Sequence, residues 1–284
     1  MRALFASPLG FLIGVSLGAL GGGGSILAVP ALVYGAGQGA KAATTTSLLI
    51  VGLTALIGMV AHRRAGHVRL GSGLVFGGVG IGGSLAGSQL NRSVDPDVLL
   101  LAFSGLMVVA AWRMWAQARK SSVVAAASGA DAATASAAGS PAGVGRGAGA
   151  AATLERSSAV DGRTVVKVVV AGSVVGFLTG FFGVGGGFVI VPALVLALRF
   201  PMPEAVGTSL LVIAVNSAFA LSQRIGTTGI EWRVALPFVV AGLAGVSVGK
   251  RLADRVAGPV LARWFVALLV VVAGYTAFRS ILAL

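Results

Sequence analysis

Two glycine-rich stretches are the part of this sequence in which residue types and spacing could do chemistry. They read GALGGGGSILAVPALV over residues 18–33 and GFFGVGGGFVIVPALV over residues 180–195, and each lies within a long apolar run. Consecutive glycines favour a break in a helix, because glycine is a poor helix former. The N–H and C=O groups that such a break opens cannot face lipid. They must be buried in protein or line a cavity.

The residues after each break predict an anion site. A second half-helix should begin at Ser25 and at Phe188, and the first N–H groups and positive dipole end of such a helix favour negative charge. Pro30 and Pro192 lie too far into these half-helices to start them, so they predict kinks. The alternative is that the glycines only allow close helix packing, as is expected for GxxxG pairs elsewhere in the chain. The candidate ligands in these stretches are Gly22, Gly23, Gly24, Ser25, Gly183, Gly185, Gly186 and Gly187.

Paired hydroxyl residues follow each stretch at the start of the next apolar segment. Thr46-Ser47 and Thr208-Ser209 could donate hydrogen bonds to an anion, or could cap the helices that begin there. Asn216 lies two helical turns beyond Thr208, so the two side chains should share a face. A carboxamide within an apolar helix is either a contact between helices or a ligand contact. Both interpretations stay open for each group.

The elements that position these residues are predicted to be membrane helices. Of the 284 residues, 56% are hydrophobic and 10% are charged. The apolar runs are long enough to cross a bilayer as helices, and they do not alternate as barrel strands would. The sequence therefore predicts an all-α, polytopic membrane helical bundle. Its apolar segments are expected at 8–37, 42–61, 70–90, 98–118, 165–198, 205–224, 232–253 and 260–283.

The two halves of the chain are internal repeats. Gly18 aligns with Gly180, and the same offset of 162 residues (180 minus 18) aligns the two VPAL motifs and the two TSLL motifs. We therefore expect a membrane repeat over residues 1–119, a flexible cytoplasmic linker over residues 120–163, and a second membrane repeat over residues 164–284. Each repeat should carry four segments, the first of them broken by glycines. Such repeats are common in transporters, with the site where they meet.

Topology depends on whether the first segment of each half crosses the membrane. If all eight segments cross, the positive-inside rule places both termini and the linker in the cytoplasm. If segments 1 and 5 are instead re-entrant hairpins, each half has three crossings and the halves are inverted. The linker is cytoplasmic in both cases. The expected location is the cell membrane, with multiple crossings.

Several kinds of chemistry are excluded by composition. The chain has no cysteine and only two histidines, which excludes a thiolate site and an all-histidine metal site. No acidic residue lies deep in an apolar segment, so a simple carboxylate-coupled pump is not expected. His62, Arg63 and Arg64 end the second segment, where snorkelling to the headgroups is cheap. No cofactor or metal is implied by the sequence. The +13 net charge does not indicate a nucleic-acid partner, because the basic residues cluster at the ends of apolar segments, where they determine topology.

These features favour a transporter of a small anion, with the lipid bilayer as its other partner and the oligomeric state left open. A membrane-embedded enzyme would need catalytic residues that are not evident. A scaffold would have no need for broken helices. The repeated G-x-G-G-G-x-x-x-V-P-A-L signature, followed by T-S-L-L, resembles the TauE/SafE family. That resemblance covers nearly the whole chain except the linker, and it implies transport, often export, of sulfite, sulfonates or related organosulfur anions.

Overall fold

The computed structural model describes residues 2–91, 102, 104–116, 162–182, 187–223 and 231–283. Every regular element in these ranges is a helix. The predicted linker over 120–163 lies outside the described residues, except for its last two positions, which begin a helix. The helices are α1 (Arg2–Leu20), α2 (Gly23–Pro30, continued by a π-helical turn over Ala31–Gly35), α3 (Ala40–Arg64), α4 (Leu70–Asn91), α5 (residues 104–116), α6 (Gly162–Phe182), α7 (Gly187–Leu196), α8 (Met202–Ser222), α9 (Trp232–Arg255) and α10 (Gly258–Ala283).

Five of these helices are long and apolar enough to cross a membrane: α3, α4, α8, α9 and α10. Large apolar side chains on the outer surface, such as Leu53, Val170 and Val240, are exposed. Such a surface suits lipid rather than water. The predicted all-helical membrane bundle is confirmed, and α4 and α9 lie within two residues of the segments expected from the sequence.

The first predicted segment is a hairpin of two helices. α1 ends at Leu20, and Gly21 then adopts a left-handed φ of 72° that side chains rarely accept. α2 runs back along α1, because Gly24 packs against Leu17 and Gly35 packs against Leu9. The predicted break is therefore confirmed in this copy, and the interpretation of this segment as a full crossing is wrong. In the second copy the chain is helical up to Phe182 and again from Gly187, and the intervening residues are not described.

Pro30 marks a second change in the returning arm. α-Helical geometry ends at Pro30 and a π-helical turn follows over Ala31–Gly35. Proline has no N–H to donate to the preceding turn, so the regular hydrogen-bond pattern is interrupted there. The arm closes where the N–H of Gln38 donates to the carbonyl oxygen of Leu32 at 3.0 Å. In the second copy, Phe200 donates to Leu194 in the same way at 3.1 Å.

Two pairs of parallel helices make the closest contacts in the bundle. α1 packs along α9, with Gly10 against Phe238, Gly14 against Gly242 and Gly18 against Val246. α4 packs along α6 through Gly172 against Phe76, Gly176 against Gly80 and Gly180 against Ser84. The partners rise together in number, so each pair runs in the same direction. Small residues allow this approach because no Cβ separates the backbones.

The centre of the bundle is formed by α3 and α8. These helices pack on each other, and they contact α9 and α4, respectively. Their interior positions are closed, with Ile50, Ala55, Leu210 and Val212 almost without exposure. The glycine-rich hairpin thus packs on α9 through α1 and on the central helix α3 through both of its arms.

The close contacts predict a position-dependent effect of adding one methyl group. Gly14→Ala should place its Cβ on the backbone of Gly242 and force α1 away from α9. Overpacking of this kind costs about 1–3 kcal/mol. We expect a clear drop in the apparent melting temperature of the purified protein in detergent. Gly78→Ala is the matched control, since Gly78 lies within α4 and its added Cβ meets no atom within 4 Å. Equal melting temperatures for the two variants would contradict the packing described above.

Candidate functional site

The two glycine-rich stretches meet in the interior. A Cβ on Gly22 would overlap the carbonyl of Gly187 and would lie 2.8 Å from the nitrogen of Phe188. A Cβ on Gly187 would in turn lie 3.1 Å from the Cβ of Ser25. Only glycine at both positions allows this backbone-to-backbone contact. The predicted ligands Gly183, Gly185 and Gly186 lie outside the described residues.

The start of α2 lies at this contact. α2 begins at Gly23, two residues before the predicted start, and α7 begins at Gly187, one residue before. The hydroxyl of Ser25 donates to the carbonyl oxygen of Gly22 at 2.7 Å, and the N–H of Ser25 reaches the same oxygen at 3.3 Å. Gly23 and Gly24 are buried, next to Leu268 and Leu17. The first N–H groups of a helix have no partner within that helix.

A cavity of about 300 Å³ opens beside the hairpin, between α2, α3, α4, α6 and α8. Three predicted site residues line it: Ser25, Ser47 and Asn216. No charged side chain is among the described residues of its wall. The full lining consists of Ser25, Val29, Thr44, Ser47, Leu48, Val51, Ile81, Ser84, Leu85, Ser88, Thr179, Gly180, Asn216, Ser217, Phe219, Ala220 and Gln223.

The hydroxyl groups of this wall fall into two kinds. Those of Ser47, Ser88 and Thr179 donate to carbonyl oxygens of the preceding helical turn at 2.7–2.8 Å. In this orientation these hydroxyls can only accept a hydrogen bond from a ligand in the cavity. A rotation of the O–H group would let them donate instead. Those of Ser84 and Ser217 make no hydrogen bond to another described residue. They can donate to a ligand as they stand.

Asn216 carries the clearest unmet hydrogen bond of the wall. Its side chain is partly buried, and its Oδ1 is buried without a partner among the described residues. Buried polar atoms are normally satisfied, and this atom is an acceptor, so it indicates a water molecule or another donor in the cavity. The carboxamide lies on the cavity wall, and both interpretations of it stay open. Its amide nitrogen and that of Gln223 add two further donor groups to the wall.

The other predicted hydroxyls lie away from the cavity. Thr46, Thr208 and Ser209 are buried. The Oγ1 of Thr46 has no partner among the described residues, whereas that of Thr208 accepts the backbone N–H of Arg69 at 3.1 Å. Ser209 donates to the carbonyl oxygen of Val206 at 2.8 Å and lies against Gly21. The cavity wall thus includes Ser47 from the first predicted pair and neither residue of the second pair.

The interpretation of these hydroxyls as helix caps is wrong. α3 begins at Ala40 and α8 at Met202, so the paired hydroxyls lie in the second helical turn. The capping positions are Gly39 and Pro201, and neither makes a side-chain capping bond. The hydroxyls of Ser47 and Ser209 do not cap a helix start. They donate to carbonyl oxygens of the preceding turn of their own helices.

Six further polar residues of the wall were not predicted: Thr44, Ser84, Ser88, Thr179, Ser217 and Gln223. A signal for some of them was present. Ser84 and Ser88 lie one turn apart on α4 and therefore share a face, and Thr179 directly precedes the first glycine of the second motif. Polar residues repeated on one face of an apolar helix indicate that the face does not meet lipid.

His62 also differs from its prediction. It does not extend to the headgroups, since the side chain is only 1% exposed. Its Nε2 lies 3.1 Å from the carbonyl oxygen of Gly18, close to the end of α1. Arg63 and Arg64 are exposed, as expected for residues at a segment end.

Comparison with known proteins agrees with a membrane transporter. The family profile described as "Sulfite exporter TauE/SafE" matches residues 6–276. A "Probable membrane transporter protein" of Xylella fastidiosa strain Temecula1 is 33% identical over 95% of this chain and 93% of its own length. YunE of Bacillus subtilis, with the same description, is 26% identical over 87% of this chain and 84% of its own.

The similarity extends to archaea. A protein of Methanocaldococcus jannaschii, also described as a probable membrane transporter, is 21% identical over 87% of this chain and 86% of its own. No solved structure matches the chain. With a family match over nearly its whole length and relatives of similar length, this chain belongs to the TauE/SafE family of membrane transporters.

Proposed function

We propose that the protein carries a small oxyanion, such as sulfite or an organosulfonate, across the cell membrane through the cavity beside the glycine hairpin. The observation that carries this proposal is the chemistry of the cavity wall. It offers hydroxyl and amide groups in an otherwise apolar bundle, and none of its described residues is charged. The family name adds sulfite as the first candidate.

The wall holds donors and no carboxylate, so it offers hydrogen bonds to an anion without a repelling charge. Ser84, Ser217 and Asn216 can each donate to an oxygen of the substrate. The start of α2 lies next to the cavity through Ser25, and its N–H groups and dipole add a favourable field. A volume of about 300 Å³ is at the small end of ligand pockets, as a small solute requires.

The arrangement of the helices supports two inverted repeats, over residues 1–119 and 164–284. Adding 162 to each α1 residue and subtracting 162 from its α9 partner turns the contacts of α1 with α9 into those of α6 with α4: Gly14 against Gly242 corresponds to Gly176 against Gly80. The hydrogen bond that closes α2, from Gln38 to Leu32, likewise corresponds to that from Phe200 to Leu194. Each half would then consist of a hairpin and three crossing helices, with the substrate site where the hairpins meet.

The same arrangement supports an assignment of the two sides of the membrane. The linker leads into the start of α6, and α6 runs parallel to α4, so the start of α4 lies on the same side as the linker. The end of α3, which a short loop joins to α4, lies on that side too. Basic residues concentrate there, which by the positive-inside rule makes the linker side cytoplasmic and both termini extracytoplasmic. The described basic residues on this side are Arg63, Arg64, Arg69, Arg113, Lys167, Arg199, Lys250, Arg251, Arg255 and Arg263.

The cavity then opens away from the cytoplasm. Thr44 near the start of α3, Ser88 near the end of α4 and Gln223 after α8 all belong to the extracytoplasmic half of the bundle. The repeat equivalents of Ser47 and Leu48 are Ser209 and Leu210, which are fully buried on the cytoplasmic side. The extracytoplasmic half of the proposed transport path is therefore open, and the equivalent region in the cytoplasmic half is closed, as alternating access requires. A second state would exchange the two.

Topology can be tested cleanly because the chain has no cysteine. A Ser140→Cys substitution in the linker should be inaccessible to a membrane-impermeant maleimide in intact cells and should react after lysis. Glu231→Cys, at the start of α9, should react in intact cells. Labelling of the linker cysteine from outside would overturn the proposed orientation.

The charge of the substrate can be tested at Asn216. Asn216→Asp keeps the shape of the side chain but adds a negative charge to the cavity wall. Asn216→Leu is the matched control, since it removes only the hydrogen bond, worth about 1.5–3 kcal/mol to a charged ligand, or about ten- to a hundredfold in affinity. For an anion, the aspartate variant should bind at least about tenfold more weakly than the leucine variant, because repulsion adds to the loss.

The measurement is the concentration dependence of labelled sulfite and sulfonate uptake into proteoliposomes, with the variants reconstituted at equal amounts. Equal affinities in the aspartate and leucine variants would show that the substrate is not an anion held at this wall. Wild-type affinity in both would place the site elsewhere.

A further inference from the structure

His62 is the one fully buried side chain among the described Asp, Glu, Lys, Arg and His residues. It lies near the cytoplasmic end of α3 and is 1% exposed. A titratable group in such a position is costly and usually has a function. Neither the hydroxyl-lined cavity nor the hairpin contact makes use of it.

The two nitrogens of His62 have different surroundings. Nε2 lies 3.1 Å from the carbonyl oxygen of Gly18, and a carbonyl can only accept, so Nε2 carries the hydrogen. Nδ1 is then a lone pair, and it is buried without a partner among the described residues. The Nδ1 of His67 is also buried without a partner, and the two ring centroids are 6.4 Å apart. The Nδ1 of His62 is therefore a buried lone pair that can bind a proton.

Two charged residues of α9, Lys250 and Asp254, lie near the ring. By Coulomb's law the ammonium group of Lys250 opposes an imidazolium, and the carboxylate of Asp254 favours it. Lys250 and Asp254 are paired with each other at 2.5 Å, so their effects partly cancel. Arg63 and Arg64 beside it on α3 are exposed, and Arg69 in the following loop is paired with Glu204. α1 contributes the carbonyl of Gly18, close to its negative dipole end, which favours an imidazolium.

The bond to Gly18 connects this ring to the substrate site. Gly18 lies in the last turn of α1, three residues before Gly21. Gly21 lies against Ser209, and Gly22 contacts Gly187 of the second copy. Protonation turns the contact with Gly18 into a charge-assisted hydrogen bond, which is about twice as strong as a neutral one. The protonation state of His62 therefore acts on the tip of the hairpin that borders the anion cavity.

We propose that His62 is a proton-binding site that couples anion transport to the proton gradient. The inference rests on the proposed transport of an anion by this chain. The proton stabilises one position of the hairpin tip, and the anion occupies the cavity beside that tip. Linkage then requires that each ligand changes the affinity for the other by the same factor. The site lies on the closed, cytoplasmic half of the path, opposite the open cavity.

The test uses His62→Gln in the full-length protein in proteoliposomes. The amide of glutamine can still donate to the carbonyl of Gly18 but does not titrate. In the wild type, an inward gradient of an alkyl sulfonate, which unlike sulfite does not bind protons near neutral pH, should move protons, read with a trapped pH dye, and its uptake should depend on pH. In the variant, sulfonate exchange should persist while the proton movement and the pH dependence disappear.

Lys250→Gln is a second variant that keeps His62 in place. It removes a positive charge facing the ring and leaves Asp254 unpaired, and both changes favour the imidazolium. The midpoint of the pH profile should therefore move to higher pH, which a purely structural role of His62 would not produce. This variant keeps the proposal testable if His62→Gln fails to fold. An unchanged midpoint overturns it.

The outcomes separate the two proposals. A wild type that moves the sulfonate without protons overturns the proton site and leaves the transport proposal standing. A His62→Gln variant that keeps its proton movement does the same. A wild type that moves none of the tested anions overturns the proposed substrate class. The proton site is then decided by acid–base titration of the purified proteins, where His62→Gln should bind fewer protons between about pH 5 and 8 than the wild type. Equal proton uptake overturns it.

Discussion

An opened helix inside a membrane must have its backbone polar groups satisfied by protein or by a cavity. The rest of this fold depends on that constraint. α1 and α2 turn at Gly21 within the bundle, and the turn is covered by α8 and by the start of α7. Covering it requires helices that approach closely, which explains why glycines line the contacts of α1 with α9 and of α4 with α6. The glycines of the motif and those of the flanking helices therefore serve one purpose, the burial of a broken helix.

Packing and ligand binding were alternative interpretations of the glycine motif, but the structure makes them compatible. Gly22 is required by its contact with Gly187, which is a packing role. The same contact places Ser25 at the wall of the cavity and the start of α2 beside it. A larger residue at Gly22 would separate the hairpins and displace the cavity wall together. Loss of transport in such a variant would therefore not distinguish the roles, whereas Asn216→Asp changes the charge of the cavity wall and nearly keeps the shape of the side chain.

Local signals predicted most of the fold, and long-range contacts explain what they missed. Apolar run length located α4 and α9 to within two residues, and consecutive glycines located the break after Leu20. The return of α2 along α1 could not be derived from local pattern, because a kinked crossing and a hairpin have the same sequence signature. Ser25, Ser47 and Asn216 were expected at the site and line the cavity. Thr208 was expected there too, but in the folded chain it accepts a bond from Arg69, a partner 139 residues away.

His62 is a second residue whose role depends on a long-range contact that the local sequence pattern does not predict. A histidine followed by two arginines at the end of an apolar segment predicts a solvated end, and the arginines are indeed exposed. The histidine is turned inward because the nearby end of α1 offers the carbonyl of Gly18, which lies 44 residues earlier in the chain. A hairpin that stops within the membrane leaves such carbonyls without helical partners. The break that exposes the first N–H groups of α2 therefore also creates, at the end of α1, the acceptor that holds an imidazole. The proposed anion and proton sites would then use opposite ends of the two half-helices of a single hairpin.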